Sequence, residues 1–392
     1  MKPNHNQSLS IYLHIPFCTT KCTYCAFNTY THLEHLIDAF VTAICTELMI
    51  ASQDNPYDKT ETIFFGGGTP SLLSPVQFTR ILEALFQYYH IASDAEISIE
   101  ANPNDLQESY LKDLRRLGIN RLSIGMQSAN TRELQLFQRR HDNRQVIQAV
   151  TAARAAGFDN INLDLIYGVP DQTLDDWRQS LSALIALEPE HVSLYALGVE
   201  DGTPMKHWIE KGTLPQPDDD LTADMYEIVT DVLDEAGFRQ YEISNWAKPG
   251  KACRHNLQYW HNKPYLGFGP GAHGFANNIR YETVLSPQRY IRCLQDVSTV
   301  KMPFPMTPAV AASKFIDGDE AVFETVLTNL RLVEEGINRA TFAEQFGFDL
   351  VAAYQGKLDQ FVAYGLIEIE PDRIRLTRSG RFVSNAIIRD LL

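Results

Sequence analysis

The sequence has 392 residues, 44% of them hydrophobic and 21% charged, the balance of a folded globular chain of two or three domains. With 34 Lys and Arg against 49 Asp and Glu the formal net charge is −15, which argues against nucleic acid or anionic lipid as a partner. No apolar run reaches the ~18 residues of a membrane span, and the segment Met1–Ser8 lacks the apolar core of a signal peptide, so a soluble, cytoplasmic protein is expected.

Short β-rich runs alternate with helical patterns as far as about residue 200. The predicted strands are Ile11–Ile15, Thr62–Phe65, Glu96–Glu100, Arg121–Met126, Asn160–Tyr167 and His191–Leu197. Between them, apolar spacing predicts helices over Leu33–Met49, Pro75–Tyr89, Leu106–Leu117 and Thr173–Leu187, with two helices flanking Gln138–His141 in the fourth connection. This alternation gives an α/β class with a parallel sheet of six strand–helix units, either partly closed into a barrel or open. Unusual segments follow the first three strands: a cysteine cluster, Gly66-Gly67-Gly68-Thr69-Pro70, and Ala101-Asn102-Pro103-Asn104. Strand C-termini are where a parallel barrel carries its chemistry.

Beyond Asp201 the alternation weakens. Leu214–Asp220 reads as a linker, followed by a helix to about Ala236, a strand at Tyr241–Ile243 and a loop-like stretch to Arg280. The proline-rich Met302–Met306 marks a boundary. After it come helices, then Leu366–Glu370, a Pro371-Asp372 turn, Ile374–Thr377 and a last helix, a winged-helix-like α+β pattern. The expected domains are 1–200, a barrel core, 201–300, its extension, and 301–392, the winged-helix-like module. That module carries more acidic than basic residues, which argues against DNA binding.

Of six cysteines, three fall within eight positions, Cys18-x-x-x-Cys22-x-x-Cys25. Thiolates suit an iron–sulfur cluster or zinc. Three cysteines leave one iron of a [4Fe–4S] cube without a protein ligand, open to a small molecule; zinc closed by His32 or His35 is the alternative from spacing alone.

With Tyr24 before the last cysteine, this segment resembles the signature of radical S-adenosylmethionine (SAM) enzymes. The resemblance implies a partial (β/α)6 barrel and a cube whose open iron is chelated by SAM. The cluster then cleaves SAM to methionine and a 5′-deoxyadenosyl radical. It makes Gly66–Pro70 a methionine-binding glycine motif and Glu100 a ribose-binding acid. Tyr12–Cys18, Arg121–Ser128 and Asn162–Pro170 resemble the coproporphyrinogen dehydrogenase (HemN) branch. Carried over residue by residue, Tyr12, Gly67 and Glu100 fall on the first SAM site. Tyr24, Gly68, Thr69, Gln127, Arg139 and Asp164 fall where that branch holds a second SAM, with Arg140 adjacent to Arg139.

Two departures argue against porphyrinogen decarboxylation. Phe27 stands where the dehydrogenase has a further cysteine, and only 17 residues precede Cys18, where the dehydrogenase has a longer extension. A positive feature is His255-Asn256-x-x-Tyr259-Trp260, followed by Tyr265–Gly274, which is similar to the heme-binding motif and glycine segment of the HemW family of heme chaperones. That family often has Asp where this chain has Ala26. The resemblance implies heme bound by His255, Asn256, Tyr259 and Trp260, and an acceptor hemoprotein as partner. A membrane respiratory enzyme as acceptor and a homodimer are both compatible with heme transfer. Cys253, His255 and Tyr259 are each chemically able to ligate iron, and Trp260 offers a flat apolar face. Two main readings stand: a heme chaperone with a cluster and SAM, and an oxygen-independent coproporphyrinogen III dehydrogenase. A radical SAM enzyme acting on RNA is disfavoured by the acidic balance.

Overall fold

The computed structural model describes residues 8–297 and 300–391; the leader reading of Met1–Ser8 falls almost wholly outside them. Contacts divide the chain into two units: the residues up to Val229 with Pro264–Phe315, and Thr230–Lys263 with the residues from Ile316 on.

In the first unit, β1 (Ser8–Ile15), β2 (Lys59–Gly67), β3 (Ile91–Ala101), β4 (Arg121–Gln127), β5 (Ile161–Tyr167) and β6 (His191–Ala196) pair in sequence order, all parallel. Helices make the crossovers: α1 (Ile37–Ala51), α2 (Pro75–Tyr88), α3 (Glu108–Arg116), α4 (Thr131–Leu136), α5 (Asn143–Ala155) and α6 (Leu174–Ile185). This is the expected α/β partial barrel. Pairing Ser74 with Gln77, Asp142 with Gln145 and Thr173 with Asp176, capping boxes start α2, α5 and α6, satisfying amide groups that a helix start leaves open.

The period-2 alternation of a strand sorts its residues between two faces. One face packs on the helices: Phe65 meets Phe78 edge-on with centroids 5.1 Å apart, and Tyr167 meets Trp177 at 5.3 Å. The other face is polar although buried. Ser10 and Thr62 are hydrogen-bonded at 2.8 Å; Asn162 donates to Ser123 at 2.7 Å and receives His191 at 2.6 Å. A polar face inside a sheet is stable only when its groups pair with one another.

The stretch read as loop-like up to Arg280 is largely regular, and this corrects the sequence reading. β7 (Arg239–Glu242) overlaps the strand expected at Tyr241–Ile243, and the stretch after it holds β8 (Asn245–Ala247), the helix Arg254–Trp260, β9 (Tyr265–Phe268), β10 (His273–Ala276) and the start of β11 (Ile279–Thr283). β9 runs parallel to β1 and extends the barrel sheet through β10, β11 and an edge strand β12 (Val310–Phe315). The glycines of β9 and β10 are needed there. A Cβ at Gly267 would run into the His273 carbonyl, and one at Gly274 into the Tyr281 ring. Local propensity disfavours glycine in strands, and tertiary contact overrides it. β12 escaped notice because it is exposed almost throughout and shows no alternation.

Glu47 on α1 ties this extension to the barrel. Its carboxylate accepts from Gly269 N at 3.2 Å, Tyr290 OH at 2.5 Å and Thr307 Oγ1 at 2.7 Å. In the second unit, helices over 318–329, 339–346 and 355–363 pack with the strands Ile337–Asn338, Ile367–Ile369 and Arg373–Leu376, an antiparallel sheet. Val326, Leu330, Leu358 and Ile374 form its core, giving the winged-helix-like module. Among the described residues no helix is long and apolar enough to cross a membrane.

Glu47→Ala is expected to strand three buried donors and lower stability by about 3 kcal/mol, at about 1–3 kcal/mol for each unsatisfied group, measured by urea unfolding. Burial pushes the wild-type carboxyl up to about 7, against the smaller opposing pull of its three donors. Its contribution to stability is therefore complete below the ~4.3 of an unfolded chain and is lost as pH rises through about 7. Glu47→Gln is expected to flatten that slope.

Candidate functional site

β1 runs into the cysteine loop through Pro16 and Phe17. Cys18 N–H donates to Tyr30 O at 2.9 Å and Tyr30 N–H returns to Pro16 O at 2.8 Å, closing the loop on itself. Within it a turn brings Cys25 N–H to Cys22 O at 3.2 Å. Thr23 Oγ1 donates to Leu136 O at 2.7 Å, and the Tyr24 ring stands edge-on to Phe137 at 4.9 Å. Asn28 anchors the far side, donating to the carbonyls of Pro270 at 2.9 Å and Leu285 at 3.0 Å. All three cysteines are free thiols, Cys18 buried and Cys22 and Cys25 partly exposed. Burial pushes the Cys18 and Cys25 thiols up, so metal binding there must displace protons. Among the described residues no three His, Cys, Asp or Glu are gathered around one point as a single ion requires. A cube takes one thiolate per iron and needs no such gathering.

The glycine run lies directly against this loop. Gly68 N–H donates to Ile15 O and Thr69 N–H to Phe17 O, both at 2.8 Å, while Thr69 Oγ1 reaches Cys18 Sγ at 3.4 Å. Gly67 has φ +106°, and a Cβ there would strike the His14 ring. Its N–H donates to Glu100 Oε2 at 3.0 Å.

Strand by strand, the residues expected to line a cofactor site break an otherwise buried run. Tyr12 is the partly exposed position between Leu9 and Ile15, Glu100 the one between Ala95 and Ala101, and Asp164 the one within β5. Gly67 ends β2 and Gln127 ends β4, both partly exposed. Burial raises the Glu100 carboxyl to about 7, with the neighbouring Asp164 adding to it. Asp164, also raised by burial, accepts from Asn162 at 2.7 Å and Ser123 at 3.4 Å. Gln127 has φ +64°, an uncommon backbone state for its type. A Cβ at Gly125 would meet the side chains of both Gln127 and Arg139.

Arg139 joins these parts. Its guanidinium donates to Cys22 Sγ at 3.4 Å, Asn102 Oδ1 at 2.6 Å and Gly125 O at 3.0 Å. The adjacent Arg140 turns outward to Asp105 at 3.2 Å, so of the two arginines Arg139 is the one at the cysteines. Two residues of this constellation were not singled out from the sequence. Asn102 bridges Arg139 and Thr69, donating to Thr69 Oγ1 at 3.2 Å. His14 fills the space under Gly67, between Tyr12 OH at 3.1 Å and Asn28 O at 3.0 Å. Both lie in segments whose motif is visible, but no spacing rule says which side chain of a loop turns inward.

The other candidate residues lie on the helix Arg254–Trp260 in the second unit. His255 is 1% exposed, with Nε2 2.8 Å from Tyr259 OH. Asn256 donates to Tyr241 OH at 3.3 Å. The carbonyl of Trp260 accepts from Asn329 at 2.7 Å, and the Arg331 guanidinium lies 5.7 Å from its ring centre. Its indole Nε1 is buried and finds no hydrogen-bond partner among the described residues.

Residues 12–184 match the radical SAM superfamily, and residues 316–383 match the HemN C-terminal domain. The chain is 38% identical over 395 aligned positions to the heme chaperone HemW of Mycobacterium tuberculosis, spanning 100% of this chain and 97% of that one. It is 35% identical to the heme chaperone HemW of Bacillus subtilis, over 96% of this chain and 97% of the relative. Among solved structures, coproporphyrinogen III oxidase (HemN) from Escherichia coli superposes with a TM-score of 0.84 at 22% identity, over 100% of this chain and 91% of that one, a likeness of fold. The chain thus belongs to the radical SAM superfamily and, within it, to the HemW family.

Proposed function

We propose that the chain is a heme chaperone, binding heme through the helix Arg254–Trp260 and passing it to an acceptor hemoprotein. The observation that carries this reading is that helix. It places two side chains chemically able to ligate iron, His255 and Tyr259, one turn apart. At its end is a flat indole with an unpaired donor and a guanidinium beside it, a surface suited to an apolar macrocycle bearing carboxylates. Full-length relatives named heme chaperones support it.

Superfamily membership implies a [4Fe–4S] cluster and SAM. Cys18, Cys22 and Cys25 would hold three irons of the cube and leave the fourth to the amino and carboxylate groups of SAM. When bound, that pair supplies one-electron chemistry. Arg139 donates to Cys22 Sγ and would hold that side chain in place beside the cube. The backbone of Gly67 and Gly68 can lie close to the methionine end because neither carries a Cβ. Glu100 can accept from ribose hydroxyls, and with Asp164 it sets acidic groups near a sulfonium cation. Gln127 and Tyr12 complete the lining. Phe27, where the dehydrogenase branch carries a cysteine, is 68% exposed and cannot ligate, so radical decarboxylation of a porphyrinogen is not the reading adopted.

Cys18→Ala is expected to abolish the brown cluster absorption after anaerobic reconstitution; wild-type iron, sulfide and absorption would overturn the ligand assignment. Gly67→Ala forces an L side chain into positive φ against His14. It is expected to weaken SAM binding by about tenfold or more, ~1.4 kcal/mol, in equilibrium dialysis of the reconstituted protein. Titrated with hemin, the protein is expected to saturate at about one heme per chain and to deliver it to a heme-free acceptor. It should form no protoporphyrinogen from coproporphyrinogen. Absence of saturable binding together with that product would replace the chaperone reading by the dehydrogenase.

A further inference from the structure

The cysteine sulfurs are already surrounded by hydrogen-bond donors. Thr69 is 4% exposed and is held against the cysteine loop by its own N–H, which donates to Phe17 O at 2.8 Å. Its Oγ1 lies 3.4 Å from Cys18 Sγ and 3.2 Å from Asn102 Nδ2. The oxygen of the Asn102 amide receives the Arg139 guanidinium at 2.6 Å, and the Asn102 backbone N–H donates to Ser71 Oγ at 3.3 Å. A further hydroxyl, Thr29 Oγ1, is buried in the loop without a hydrogen-bond partner among the described residues. Burial pushes the Cys18 and Cys25 thiols up, and the Thr29 hydroxyl is among the groups that pull each back. A buried donor left over beside the sulfurs fits a site that gains acceptors when a cluster binds.

We propose that Asn102 is a positioning residue for the iron–sulfur cluster: it turns the Thr69 hydroxyl onto Cys18 Sγ, and the hydrogen bond so fixed helps set how readily the cluster takes an electron. The inference rests on the cluster reading above and adds a residue to it. A guanidinium can only donate, so the Asn102 oxygen must face Arg139 and the Asn102 NH2 must face Thr69. Thr69 Oγ1 therefore accepts from Asn102. A hydroxyl has one hydrogen, and with the amide donating to its oxygen that hydrogen is left for the sulfur. Direction thus passes along the chain from a group that cannot reverse: Arg139 to Asn102, Asn102 to Thr69, Thr69 to Cys18. On cluster binding the Cys18 thiol gives up its proton and its sulfur becomes an acceptor only, which strengthens the contact. Reduction adds one electron and puts more negative charge on the sulfurs. A donor held at a sulfur then stabilises the reduced state more than the oxidised one and raises the potential. Asn102 itself exchanges neither proton nor electron.

The test is a dithionite titration of the anaerobically reconstituted full-length protein without SAM, read by electron paramagnetic resonance of the reduced cluster. Thr69→Val removes the donor at nearly constant shape. It is expected to lower the ratio of reduced to oxidised cluster at a fixed potential about tenfold, ~59 mV for a one-electron couple. Thr69→Ser keeps the hydroxyl and should keep the wild-type potential, which separates a lost hydrogen bond from a damaged loop. Asn102→Asp has no amide hydrogen to offer, so the Thr69 hydroxyl turns to the new carboxylate, and the potential should fall as in Thr69→Val. Placed in the Thr69→Val background, Asn102→Asp should add little. A full further fall there would mean that the new charge acts on the cluster directly, and would overturn the positioning role. A wild-type potential in Thr69→Val, or loss of the cluster from both Thr69→Val and Thr69→Ser, would overturn it while leaving the cluster reading in place. Wild-type protein that takes up no iron and sulfide would overturn both.

Discussion

The guanidinium of Arg139 is the contact on which the cysteine end of the barrel turns. Three of its donor contacts go to segments that lie far apart in the chain: a cysteine sulfur after β1, an amide side chain after β3 and a backbone carbonyl of β4. A charged donor in a partly desolvated setting makes hydrogen bonds of about 1.5–3 kcal/mol each, so this one side chain is a large share of what orders the loops. The same group brings positive charge to the sulfur of Cys22. Structure and electrostatics therefore come from one residue.

The second constraint is the polar inner face of the barrel. Ser10, Thr62, Ser123, Asn162 and His191 lie inside a sheet whose other face is aliphatic and aromatic. Buried polar groups of this kind are tolerated because each has a neighbour, and they leave the mouth of the barrel lined with acids, a phenol and an amide rather than with hydrocarbon. Asp164 sits close enough to Glu100 to add to what burial does to its carboxyl, resisting its ionisation. A cationic ligand would relieve that repulsion.

The helix Arg254–Trp260 works on a different principle. Its geometry is local, since residues four apart share a helix face, and His255 and Tyr259 meet without help from distant segments. What is not local is which of the two is hidden. That depends on the packing of the second unit, where Asn329 fixes the carbonyl of Trp260 and Arg331 covers its ring.

The sequence by itself determined the succession of strands β1 to β6 and crossover helices along the chain, because period-2 and period-3.6 patterns are properties of contiguous residues, while periodicity left a partly closed barrel and an open sheet both possible. It also determined the cysteine spacing, the glycine run and the His255–Trp260 motif, all short-range features. It misread β8 to β10 as loop, because strands of three or four residues show no period of their own and gain their stability from the strands they pair with. Tertiary structure alone chose Arg139 over Arg140 for the cysteines, turned Asn102 and His14 inward, and buried Glu47 against Tyr290, 243 positions away. It likewise decided that Cys253 and His255 are enclosed and Tyr259 is not. The reason is the same in each case: a side chain's chemical type is written at its own position, whereas its burial and partners are set by residues that only folding brings within reach.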